Sequence, residues 1–296
     1  MATAQRLGTR DGSPRRRKRR VQSRPVLFFS VLGLAFFIVF MLFPFYWMLV
    51  ASVKPNADLY NLHANPLLLT RITLSHYTYL FQQTDFLRWV ANSILVTVVS
   101  CGGSLACSIL AGYSLARLRF RGAGLLGWGM FVSYLVPPTL LFLPMTAVMS
   151  QLHLLNNLWA LMLSYPTFLI PFSSWLLMGY FRGIPVELEE AAVVDGCTRI
   201  QAMLRIAIPL AIPGILSAAI FAFTLSWNEY LYALTFISST SLKTVPYGVP
   251  SELIRNDSYF WGSLMAAALL GSIPVAVLYS FFVDKFVGGM TGAVKG

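Results

Sequence analysis

From Val26 to Val50 the chain runs 25 residues without a charged side chain. As a helix that run is about 37 Å long, enough to cross the hydrocarbon of a bilayer with some tilt. It leaves no polar face for a soluble fold. A secretory signal core would be only roughly 7–15 residues, so the run reads as an uncleaved first span. Pro44 is expected to kink its outer third. The rest of the chain agrees: 57% of residues are hydrophobic and 11% charged, against about 25% charge in soluble domains. A soluble α/β enzyme is excluded.

Further apolar segments read as spans over about 87–116, 123–149, 158–181, 207–236 and 259–283, making six in an all-α polytopic membrane protein. The second is rich in small residues, among them Ser100, Gly102, Gly103, Ser104, Ser108 and Gly112, which let membrane helices approach closely. The third is interrupted by Pro137-Pro138 and Pro144, and the fourth contains Pro166 and Pro171. Residues 1–24 form a basic, disordered cytoplasmic tail and 25–296 the transmembrane domain.

The net charge is +11, but nine of the 22 basic residues lie in those first 24 positions. A polybasic run directly before a span holds a terminus at an anionic cytoplasmic leaflet. Membrane lipid, not nucleic acid, is the partner it implies. With the N-terminus cytoplasmic, 17 Lys and Arg fall on the inner side and five on the outer. The positive-inside rule therefore places both termini, and the segment between the fourth and fifth spans, in the cytoplasm.

That segment, Phe181–Pro213, carries Glu187, Glu189, Glu190, Asp195, Arg199 and Arg205. At about 2.5 kcal/mol or more per buried charge it cannot enter the hydrocarbon. Pro185 suits a first helical turn, where three glutamates then complement the helix dipole. Gly196 is expected to end this helix in a left-handed cap, and a second helix is expected over Thr198–Ile206. The acids alone would also suit an ordinary amphipathic connector.

Glu190-Ala191-Ala192, then Gly196 after three residues, Ile206 after nine more, and Ile208-Pro209 resemble the signature loop of permease subunits of binding-protein-dependent ABC importers. Leu commonly stands where this chain has Ile208. The flanking F-R-G-I-P-V-E-L-E-E, the W-N-E-Y of Trp227–Tyr230 and the final G-G-M-T-G-A-V-K-G are similar to the sugar-importing branch, specifically its shorter maltose-type permease. The resemblance covers nearly all of residues 26–296 and implies a type-I importer permease fold. It implies that the cytoplasmic loop (182–209) docks on a separate cytoplasmic ABC ATPase, which binds ATP and Mg. Glu190, Ala191, Ala192, Asp195, Gly196, Arg199 and Arg205 are its candidate coupling residues. The tail 288–296, with Thr291, Gly292 and Lys295, is implied to reach the ATPase; a flexible terminus is the alternative. The loop 237–257, with Ser238, Lys243, Pro246 and Tyr247, is implied to reach an extracytoplasmic sugar-binding protein, or is simply a connector. Its Ser, Thr, Pro and Gly content reads as exposed and insertable. The resemblance also implies a paralogous permease that completes a heterodimer, and a bacterial or archaeal plasma membrane.

The chain has no G-x-x-x-x-G-K followed by Ser or Thr, so ATP hydrolysis is expected on the partner and no cofactor on this chain. The three histidines are scattered and the three cysteines lack metal or redox spacing, so no metal site is expected. The competing class is an ion-coupled secondary transporter, which places ionisable groups near the bilayer midplane. Glu229 is the one acid inside a span, and its distance from Pro209 puts it near the outer surface. Trp227, Asn228, Glu229 and Tyr230 read as an outer gate or packing cluster, or as a direct sugar contact.

Overall fold

The computed structural model describes residues 24–293 apart from 62, 64, 119, 256 and 257. The described residues up to Tyr46 and those from Trp47 onward form two compact units. The helix α1 (Arg24–Val53) runs on through Pro44. Then come α2 (Asn56–Leu59), α3 (Ser75–Gln82), α4 (Phe86–Arg117), α5 (Ala123–Leu135), α6 (Pro138–Gln151), α7 (Leu158–Ser164) and α8 (Pro166–Gly183). The cytoplasmic loop holds α9 (Glu187–Val194) and α10 (Arg199–Ala202), a π-helical turn (Met203–Ala207) and α11 (Ile208–Leu210). After it come α12 (Ile212–Trp227), α13 (Leu231–Phe236), a 3-10 turn (Thr240–Leu242), α14 (Val245–Leu253), the short strands β1 (Ile254–Arg255) and β2 (Ser258–Tyr259), and α15 (Trp261–Ala293).

Among the described residues, four helices are long and apolar enough to cross a membrane, and two further pairs qualify as broken spans, giving six if each pair counts once. The third span is thus two helices, α5 and α6, at 96° to one another. Pro137 and Pro138 supply no backbone N–H and hold the residue before them extended, so the turn cannot propagate. The fifth span also departs from the continuous helix expected over 207–236. It bends by 73° between α11 and α12, and α12 stops at Trp227. There the Asn228 amide nitrogen donates back to Thr224 O at 2.8 Å, and the Glu229 carboxylate accepts from the backbone N–H of Tyr232 (2.8 Å) and Ala233 (3.2 Å). Asn228 closes one helix and Glu229 caps the next.

Every fourth residue along one side of α4 is small and buried: Ser100, Ser104, Ser108 and Gly112. This seam faces α7 and α8, where Ser100 and Ser108 donate to the carbonyls of Met162 and Ile170. At Gly112 the approach is closest. A β-carbon there would lie 3.0 Å from the Leu177 Cβ and 3.0 Å from the Met178 backbone nitrogen. Below the seam, Leu177, Phe181, Ala207, Ala211 and Ala218 form an inner core. Towards the other end, Leu161, Tyr165, Leu169, Tyr232 and Phe236 form a second core.

The seam has a direct test. Gly112→Ala should cost about 1–3 kcal/mol, because the clash is with backbone as well as side chain. Gly102→Ala, where a methyl group meets nothing within 4 Å, should be neutral or stabilise by up to about 1 kcal/mol. Thermal unfolding of the two variants in detergent separates these outcomes.

Candidate functional site

The polar loop between α8 and α12 is built by local rules. Glu187, Glu189 and Glu190 occupy the first turn of α9, at the positive end of its dipole. Gly196 takes φ +93°, a backbone that favours glycine. Its N–H donates to Val193 O and that of Cys197 to Ala192 O, the paired bonds of a Schellman cap. Thr198 then caps α10 through a reciprocal capping box with Gln201 (3.2 and 2.8 Å). The second helix starts at Arg199, one residue after the expected Thr198, which caps it, and helical turns continue to Leu210, past the expected end at Ile206. The π-turn, with Arg205 inside it, joins α10 to α11.

The one buried residue of α9 is an acid, Glu189. Its Oε1 accepts from Arg117 Nε at 2.6 Å and its Oε2 from the Tyr113 hydroxyl at 2.7 Å. Arg117 Nη2 also donates to Ile184 O at 2.8 Å. The ion-paired side chains are 10% and 9% exposed. Removing one partner of such a pair typically costs about 3–5 kcal/mol, because the other charge stays buried without compensation. Tyr113 also packs edge-on to Phe181 at 5.5 Å. The last turn of α4, the end of α8 and the start of α9 are thereby tied together.

Most of the residues predicted to couple are open to the outside. Glu190, Ala191, Asp195, Gly196, Arg199 and Arg205 are exposed and Ala192 half-buried. Glu190, Asp195, Arg199 and Arg205 form no ion pair among the described residues. Around them large apolar side chains stand in the open: Val193, Val194 (87% exposed), Ile200 (67%) and Leu204. Between this face and the end of α4 lies a groove of about 770 Å³, lined by Arg117, Glu189, Glu190, Val193 and Arg199 among others. Such a mixture of unpaired charge and bare apolar surface suits contact with another protein. Tyr113, Arg117 and Glu189 had no signal in the sequence. Glu189 is one of three similar glutamates, and its partner lies 72 positions away.

The W-N-E-Y run is not brought together as one cluster. Trp227 is buried, stacks on Phe223 at 5.8 Å and donates to Gly271 O at 3.1 Å. The Glu229 carboxylate, besides capping α13, accepts from the Tyr165 hydroxyl at 2.9 Å. Asn228 is exposed, and the exposed Tyr230 meets Tyr247 edge-on. Trp227 and Glu229 thus have packing and capping roles.

Within the 237–257 loop, the described part up to Arg255 is more tied down than its composition suggests. Trp89 and Asn92 of α4 donate to the carbonyls of Thr240, Ser241 and Lys243 at 2.8–2.9 Å. Ser93 accepts from the Val245 N–H, and Asn156 accepts from the N–H groups of Ser238 and Ser239. Lys243 is buried against Glu252 (3.0 Å) and over the Tyr247 ring (5.0 Å). Pro246 and Tyr247 are half-buried, and Ser238 is exposed. Val245–Leu253 is itself helical, with Pro246 in its first turn, and side chains from outside satisfy the backbone groups that precede it. Thr291 and Gly292 are described only as backbone of α15, and all of Lys295 and the basic tail before Arg24 lie outside the described residues. Among the described residues no three His, Cys, Asp or Glu converge as metal ligands.

Residues 108–292 match the family described as binding-protein-dependent transport system inner membrane components. The chain is 36% identical over 267 residues to the inner membrane ABC transporter permease protein YcjP of Escherichia coli, covering 89% of this chain and 95% of that relative. It is 34% identical to the diacetylchitobiose uptake system permease protein DasC of Streptomyces coelicolor (86% and 92% covered). With the trehalose/maltose transport system permease protein MalG of Thermococcus litoralis the identity is 30% (90% and 96% covered). A crystal structure of a bacterial ABC transporter involved in import of the acidic polysaccharide alginate shares the fold. Its TM-score is 0.76 at 23% identity, covering 89% of this chain and 98% of that one.

Two outcomes follow from this geometry. At Gly196 a methyl group meets nothing within 4 Å, so the cost of Gly196→Ala is the left-handed backbone alone, about 1–2 kcal/mol, and Gly196→Asn should cost less. Hydrogen exchange of the α9–α10 amides reads both. At Glu252 burial would raise the carboxyl, but hydrogen bonds and charge from Lys243 and Arg255 outweigh it and hold it below the ordinary 4.5. Its contribution to stability is therefore complete above that value and lost as pH falls through the lowered one. Glu252→Gln should flatten the acid limb of the melting temperature against pH, with little change in shape above pH 5.

Proposed function

We propose a role for this chain on the premise of its family: it belongs to the binding-protein-dependent transport system inner membrane components. It is an inner-membrane permease component of an ABC importer. In our reading its cargo is a di- or oligosaccharide. Relatives that match over most of their length are named for uptake of diacetylchitobiose and of trehalose or maltose. The chain forms half of the translocation path beside a paralogous permease, takes sugar from an extracytoplasmic binding protein, and is driven by a cytoplasmic ATPase that holds ATP and Mg. Catalysis belongs to that ATPase, since this chain has no phosphate-cradling loop.

The observation that carries this reading is the α9–α10 surface. A capped, bent helical pair at a cytoplasmic loop exposes bare apolar side chains and four charges that form no ion pair among the described residues. Glu190, Asp195, Arg199 and Arg205 are the groups for charge pairing with the ATPase, and Ala191 and Ala192 allow close approach. Thr291, Gly292 and Lys295 at the C-terminus are further ATPase contacts in this reading. Ion-coupled transport would need a titratable group free near the midplane. The carboxylate of Glu229 is instead committed to two backbone N–H groups and a tyrosine hydroxyl.

The test is reconstitution of both permeases, the ATPase and the binding protein in vesicles. Sugar-dependent ATP hydrolysis should fall about tenfold or more when Glu190→Ala and Gly196→Ala are combined, within the usual range of coupling energies, while the complex still purifies intact. Uptake driven by a proton gradient through this chain without the ATPase would overturn the reading.

A further inference from the structure

We propose that α4 is the transmission rod of this permease: the Arg117–Glu189–Tyr113 clasp fixes α9 to its inner end, and Trp89, Asn92 and Ser93 fix the 240–245 segment to its outer end. The proposal rests on the transport reading above and adds how movement crosses the membrane.

The inner attachment is polar rather than apolar. Glu189 is the only fully buried side chain of α9, with Ala192 half-buried, so the deepest contact of α9 is polar. Two charge-assisted or hydroxyl bonds, at 2.6 and 2.7 Å, make it. A third, from Arg117 to Ile184 O, fixes the hinge through which α9 joins α8. Apolar contacts slide, whereas a carboxylate held at both oxygens has one register. A force applied to α9 therefore reaches α4 without slack.

The helix that receives it is suited to carry it. α4 is a single helix of 32 residues, about 48 Å long, while the third and fifth spans are bent by 96° and 73°. Gly102 and Gly103 would be its soft point, but the adjoining Ser104, Ser108 and Gly112 seat it on α8. At the far end, Trp89 donates to Thr240 O, Asn92 to Ser241 O and Lys243 O, and Ser93 accepts from the Val245 N–H. All four bonds go to backbone, and Trp89 is fully buried with its ring against Gly248. Both ends of one helix are thus anchored by polar groups to the two loops that a transporter must keep in step.

The experiment uses the reconstituted complex, with Cys101, Cys107 and Cys197 replaced by serine and nitroxide labels at Leu118→Cys and Val194→Cys, both exposed positions. If α9 rides with α4, the distance between labels changes by no more than about 2 Å between nucleotide-free and ATP-trapped states, the scale of a small helix shift. Glu189→Gln should broaden that distance. The ratio of sugar-stimulated to unstimulated ATP hydrolysis should fall about tenfold in Glu189→Gln and also in Asn92→Ala, which lies at the other end of the rod. A larger distance change with the clasp intact overturns the proposal, as does a ratio in Asn92→Ala equal to that of the unmutated complex. An unmutated complex that ignores sugar-loaded binding protein would overturn the transport reading instead, and the distance would still decide whether α9 follows α4.

Discussion

The contact on which the rest of the molecule depends is the seam between α4 and α8. Gly112 sits so close to Leu177 and Met178 that a methyl group has no room. Between helices in lipid there is no hydrophobic drive to associate, because the solvent is as apolar as the side chains. Close backbone approach through small residues is what remains. The seam sets the register of the two helices, and that register delivers Tyr113 and Arg117 beside Phe181 and Ile184. Only then does Glu189, five residues beyond Ile184, find its partners.

A second constraint is that a bilayer leaves no water for an unpaired backbone group. The third and fifth spans break inside apolar sequence, and the fifth is repaired by its own side chains. Glu229 takes the N–H groups at the start of α13, and Asn228 bonds to a carbonyl near the end of α12. The tyrosine hydroxyls of this region serve the same end, Tyr165 donating to Glu229 and Tyr232 to Pro138 O. An acid in a span is a functional candidate by default. Here its hydrogen bonds explain its presence as a helix cap.

Within the cytoplasmic loop, two adjacent glutamates have opposite roles. Glu189 points into the bundle and is consumed by Arg117 and Tyr113, while Glu190 stays exposed. On a helix, neighbours are separated by about 100° of rotation, so burying Glu189 still leaves Glu190 in the open. One holds the loop to the spans and the other is left for a partner chain. Bare Val194 and Ile200 and the unpaired arginines extend that outer face.

The sequence alone determined the membrane class, the six apolar segments, the cytoplasmic placement of the loop and its capped bend at Gly196. Each of these follows from local quantities: length of apolar run, charge count, proline and glycine chemistry. It also carried the spaced signature from Glu190 to Pro209 through which the family resemblance is visible. Tertiary structure alone decided that Glu189 rather than its neighbours is the buried acid, because its partners Tyr113 and Arg117 lie 76 and 72 positions away. The same holds for the 237–257 loop. Its composition signals exposure, but Trp89 and Asn92 of α4 and Asn156 of the turn between α6 and α7 bind its backbone. Hydrogen bonds of this reach leave no period in a sequence, and helix register is set only when the spans pack.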